Sequence, residues 1–104
     1  MWKTPIILRV EQFQVAHIRV QNVDLVIVFV NPELGGRPIA DQQRIVAALQ
    51  ACASTAGLAG NVVPVWGDSV GRLHFIAPPN QHPFFGSVTY AYLYSQINRT
   101  LTCP

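Results

Sequence analysis

The stretch Asp24-Leu25-Val26-Ile27-Val28-Phe29-Val30 places six apolar residues, mostly β-branched or aromatic, behind one aspartate. A half-buried strand alternates apolar with polar residues, so an unbroken run predicts a central strand covered on both faces. The covering layers are expected to be helices on one face and a second copy of the chain on the other.

The flanking segments support a sheet. Ahead of the run, Ile6–Val20 includes Gln14, Ala16, Ile18 and Val20 alternating with Val15, His17 and Arg19. That period of two suits an antiparallel strand, with Glu11-Gln12 as a candidate bulge and a turn near Gln21–Val23. Behind the run, Pro38 suits a helix start, and Asp41 suits the positive end of the helix dipole. Ile45, Val46, Leu49, Cys52, Ala53 and Ala56 recur at spacings of three and four. Gly57 suits the helix end.

Asn61–Trp66 predicts a short strand at a sheet edge, because Pro64 cannot donate to a ladder. Gly67-Asp68-Ser69-Val70-Gly71 predicts a reversal, and Arg72–Ala77 a fourth strand. From Pro83 or Ser87 to about Leu101, apolar residues at helical spacing predict a second helix. The expectation is one α+β domain over residues 1–104. It has a mixed four-stranded sheet, the order ββαββα, and two helices on one face. The two ββα halves share their order of elements but almost no residues.

Topology decides which loops meet. If the Asp24–Val30 strand runs up, the following helix runs down and Asn61–Trp66 runs up beside it. The loops Asn31–Arg37 and Gly67–Val70 then share one end of the sheet. Gln21–Val23 and Pro78–Pro83 share the other.

At the upper end, Gly35, Gly36 and Arg37 lead into a helix start, where backbone amides favour anions. Trp66, Asp68 and Ser69 join them from the hairpin. These six residues form the candidate site for a small molecule or anion, with an aromatic pocket near Trp66. Neither a P-loop nor a dinucleotide fingerprint is present, and the plain reading is an ordinary turn with a packed tryptophan. At the lower end, Asn80 and His82 form a second candidate, a histidine base in search of a partner. The plain reading there is a helix entrance.

No catalytic set emerges, because no local spacing joins a nucleophile to a base. His17, His74 and His82 lack H-x-H or H-x-x-x-H spacing, so no metal is expected, and no cofactor is implied. Cys52 reads as a small buried hydrophobe, and Cys103 as a mobile residue near the end. Nothing in their spacing demands or forbids a disulfide. Asn98-Arg99-Thr100 matches a glycosylation acceptor.

Composition narrows the function classes. The chain has 104 residues, of which 50% are apolar and 12% charged, with net charge +2. A core covering roughly 65% of the unfolded surface can form at this length. The arginines are scattered singly, which argues against a nucleic-acid surface. No run approaches the roughly 20 residues of a spanning helix. The apolar stretch near the start is too short for a leader core, so a cytoplasmic location is expected. The function expected from these features is a homo-oligomeric protein-interaction module associating through an open sheet face. Small-molecule or anion binding is the alternative, and an enzyme stands third.

Overall fold

A computed structural model describes residues 11–103. The first strand, β1, spans Glu11–Val20, so the part of its expected range over residues 6–10 lies outside the described residues. Glu11 and Gln12 pair regularly with Cys103 and Thr102 rather than forming a bulge. Gln21 and Asn22 turn the chain with φ of 51° and 66°, as a two-residue hairpin turn of right-handed twist requires. Val20 then faces Val23 at the start of β2, Val23–Phe29.

A 3-10 turn over Pro32–Gly36 leads into α1, Ile39–Thr55. β3, Asn61–Gly67, returns parallel to β2, and β4, Leu73–Phe75, pairs antiparallel to β3. Two six-residue helices follow, α2 at His82–Ser87 and α3 at Tyr90–Ser95. A fifth strand, β5, runs over Arg99–Cys103 antiparallel to β1. The sheet order is β4-β3-β2-β1-β5.

The domain is therefore mixed α and β, but the described residues form five strands and three helices rather than ββαββα. The expected second helix breaks where Val88 and Thr89 are extended, at ψ of 162° and 161°. Thr89 caps the amide of Tyr92 and restarts the helix. Beyond Gln96 the chain changes period. Arg99–Cys103 alternates exposed Thr100 and Thr102 with buried Leu101 and Cys103.

The layers also differ from the expectation of two helices on one face. Val26 and Val28 of β2 pack with Leu49 and Ala53 of α1, whereas Leu25 and Ile27 pack with Phe85 of α2 and Leu93 of α3. All four β2 residues are at most 2% exposed. One copy of the chain thus covers both sides of the deciding strand. The expected open apolar face is absent there, and with it goes the premise for sheet-face association.

Pro64 does not mark an edge strand, since β3 lies between β2 and β4. Its carbonyl accepts from Ile76, one residue past the three-residue β4 ladder that begins at Val65. The N–H that Pro64 lacks would have returned that bond to Ile76, so the pair at the end of the ladder keeps one bond of two.

Two side-chain braces set the loops around α1. Gln50 accepts from the Val62 amide at 2.8 Å and donates to the Gly60 carbonyl at 3.1 Å. Gly60 has φ of +119°, and a Cβ there would lie 2.3 Å from the Asp24 carbonyl oxygen. At the other end of the helix, Gln42 donates to the carbonyls of Leu34 and Arg37.

Candidate functional site

The two upper loops do meet. A Cβ on Gly35 would lie 2.8 Å from the Trp66 ring, so the turn's backbone rests on the indole and only glycine fits. Trp66 also stacks on His74 with ring centroids 5.8 Å apart and planes 10° apart. The two residues are cross-strand partners. His74 in turn shares a 2.9 Å hydrogen bond with Asp68. The Asp68 carboxylate also accepts from the amides of Val70 and Arg72 at 3.0 and 2.9 Å. The His74 bond and the Arg72 amide pull the Asp68 carboxyl from 3.8 down to about 2. Asp68 is therefore ionised and accepts, so His74 donates through Nε2.

Of the six upper candidates, the structure brings Gly35, Trp66 and Asp68 into one corner. Gly36 faces open space. Arg37 is exposed, with its backbone bonded to Leu34 and Gln42. Ser69 lies in the exposed reversal. His74 is the member that sequence reasoning missed. The predicted hairpin contained the signal, because a tight reversal after Trp66 sets it opposite a residue of the fourth strand. The corner is packed: Trp66 is 9% exposed, with Gly35 and His74 against its ring. An ionised Asp68 beside it works against an anion and supplies half of an aspartate–histidine pair. Among the described residues, no hydroxyl or thiol is bonded to that histidine.

At the lower end, His82 donates to the Ala77 carbonyl at 2.8 Å and meets Phe75 edge-on at 5.2 Å. It anchors the entrance of α2. Asn80 lies exposed in the 3-10 turn before it. Beside them, Gln81 is 9% exposed and its Oε1 has no partner among the described residues. His17 donates to the Ala59 carbonyl at 2.9 Å, so all three histidines hold the backbone or a carboxylate. Among the described residues, no three metal-ligating side chains gather.

A concavity not foreseen from the sequence lies elsewhere. Register explains it. β1 pairs with β2 only from Val15 onward, whereas Glu11–Val15 pairs with β5. Glu11–Gln14 and Thr100–Cys103 thus form a two-stranded arm beyond β2. The arm leans on the second half of α1 through Phe13, Leu101 and Cys103. Cys103 is bonded to Cys52 of α1, with Cα atoms 5.8 Å apart, within the usual disulfide range. Cys103 is accordingly fixed and 8% exposed rather than mobile, and Cys52 is half of a cross-link.

Between arm and helix runs a groove of about 720 Å³. Phe13, Ile45, Ala48, Leu49 and Cys52 give it an apolar lining, with Glu11, Thr55 and Thr102 as its polar groups. The signal for it was divided between the small residues of α1 and an alternation in the last strand, read there as helix.

Asn98 closes the other end of β5. Its side chain accepts from the His17 amide at 2.8 Å and donates to the His17 carbonyl at 2.9 Å. Its own amide donates to the Val15 carbonyl at 2.9 Å. The glycosylation-acceptor asparagine is therefore a clasp on β1.

No helix among the described residues is long and apolar enough to cross a membrane. No protein-family model, curated protein or solved structure matches the chain.

Proposed function

We propose that this chain is a binding module whose site is the groove between α1 and the β1–β5 arm, and that its ligand is a small, elongated apolar molecule. The observation that carries this reading is the groove itself. Its volume of about 720 Å³ falls in the range of roughly 300–1,000 Å³ typical of small-molecule sites, which are apolar with few polar groups. A stable dimer needs about 800 Å² per partner, well beyond what this lining offers. Glu11 supplies negative charge, so a neutral or cationic polar end suits the ligand better than a carboxylate. Catalysis has less support, since no nucleophile among the described residues is bonded to the Asp68–His74 pair.

The test is a titration of the full chain with N-phenylnaphthylamine, a neutral apolar fluorophore. The expected result is saturable one-to-one binding, weakened at least tenfold by Ala48→Phe with the melting temperature retained. Absence of saturable binding, or equal binding by a folded Ala48→Phe protein, overturns the reading.

Self-association keeps a separate basis. Ile39, Val70 and Tyr94 are 65%, 72% and 55% exposed. Ile39 opens α1 and Val70 tips the β3–β4 hairpin, both at the upper end of the sheet. Tyr94 packs edge-on against Phe29, the last residue of β2. Scattered singly, such side chains need no partner, but grouped at one end they suit a second copy. Sedimentation of the wild type and of Val70→Asp at micromolar concentration decides it. A dimer lost in the variant supports association, and a wild-type monomer removes it.

A cytoplasmic location is part of the proposal with one condition. Thiol buffers there keep most disulfides reduced, so the Cys52–Cys103 bond in the groove wall would form there only on oxidation.

A further inference from the structure

The disulfide sits in the wall of the groove, not at a distance from it. Cys52 and Cys103 both line it, and their bond joins its two sides. We infer that Cys52–Cys103 is a redox latch: a thiol reductant opens it, the β1–β5 arm swings from α1, and the groove is lost. This rests on the groove reading for what is gated, but the release of the arm stands on geometry alone.

Three observations carry the release. First, among the described residues the arm is a two-stranded ribbon with no third strand beside it. The β2 ladder stops at Val15, and the far side of β5 is an edge of the sheet. An isolated two-stranded ribbon is marginal in water, so its order depends on what ties it to α1. Second, among the described residues those ties are the packing of Phe13, Leu101 and Cys103 against the α1 cluster and the single covalent bond at Cys103. Third, the two ends of β5 are held differently. Asn98 clasps the backbone of β1 at the start of the strand, and that clasp contains no sulfur. Breaking the disulfide frees the Cys103 end and leaves the Asn98 end fastened, so Asn98 is the hinge and Cys103 the moving tip.

The chemistry is thiol–disulfide exchange with a dithiol. Cys52 is partly exposed and Cys103 nearly buried, so the attacking thiolate reaches the Cys52 sulfur. A bond forms between that sulfur and the reductant, and the Cys52–Cys103 bond breaks with its electron pair leaving on Cys103 as thiolate. The second thiol of the reductant then displaces Cys52 and closes the reductant's own disulfide. Two electrons and two protons pass to the protein, leaving two thiols. Reoxidation reverses each step.

The test is amide hydrogen exchange of the full chain, oxidised and in dithiothreitol, alongside the N-phenylnaphthylamine titration in both states. Protection in residues 11–14 and 100–103 should fall at least tenfold on reduction, while β2 and β3 keep theirs. Probe affinity should fall at least fivefold. The Cys52→Ser/Cys103→Ser protein should match the reduced protein and ignore dithiothreitol. An arm that stays protected after reduction overturns the latch. Equal loss of protection in β2 and β3 also overturns it, because the bond is then a staple for the whole domain. A loosened arm with unchanged probe affinity overturns the gating. A loosened arm with no probe bound in either state supports the latch and overturns the groove reading instead.

Discussion

The middle of the sheet and its β1–β5 arm solve the same problem in different ways. β2 is flanked by strands on both sides and covered by helices on both faces, and its four central residues are at most 2% exposed. The arm has one face against α1 and, among the described residues, an unpaired edge, and it is tied by a disulfide at one end and an asparagine clasp at the other. Where apolar area can be buried twice, burial suffices. Where it can be buried only once, specific bonds hold the chain, and such bonds can be undone without unfolding the rest.

That contrast can be broken or sharpened by substitution. The largest effect belongs to the centre. Ile27→Ala should cost about 3–4 kcal/mol, as buried isoleucine truncations do, and lower the Tm of the whole domain by about 15–25 °C. Calorimetry should show one cooperative transition. A separate early transition would mean that the centre is not the common core.

Asn98→Ala tests the arm. Losing the two side-chain bonds to His17 should cost about 1–2 kcal/mol, with faster exchange confined to β5 and the β1 residues facing it. Exchange spreading into β3 would contradict a local hinge.

Asp68→Asn tests the hairpin corner. The folded carboxyl, at about 2, lies below its ordinary 3.8. Its contribution is therefore present above pH 4 and lost as the pH falls towards 2. The variant's urea midpoint should change less with pH over that window than the wild type's. Identical profiles would show that the His74 bond does not hold Asp68 in solution.

The smallest effect is expected of Arg37→Ala. An exposed side chain without a described partner should change stability by less than about 0.5 kcal/mol. Calorimetric titration with inorganic phosphate is the sensitive readout for this residue. Phosphate binding lost in the variant with Tm intact restores the anion site of the Gly35–Arg37 loop.

Much of the central architecture was legible because its signals are local. The β2 run, the β1–β2 turn and the α1 stripe each follow from a few neighbouring residues, and chain direction alone brought Gly35 to Trp66. The rest needed tertiary information. Phe85, Val88 and Tyr92, and then Leu93, Ile97 and Leu101, recur at spacings of three and four, and only the extended Val88–Thr89 segment and the Asn98 clasp reveal two helices and a strand. Pairing of Cys52 with Cys103 requires knowing that the last strand lies beside β1. The groove is a property of the gap between arm and helix, and no single segment encodes it.

The loop closing α1 carries a consequence for variation. At Gly60, both the backbone twist and the Asp24 oxygen exclude a side chain. Gly71 shares the positive φ, at 84°, but faces open space, so asparagine or aspartate can stand there. A saturation library sorted for folded protein should therefore leave position 60 invariant while position 71 drifts. Position 60 would then serve as an internal standard for how stringently such a library was selected.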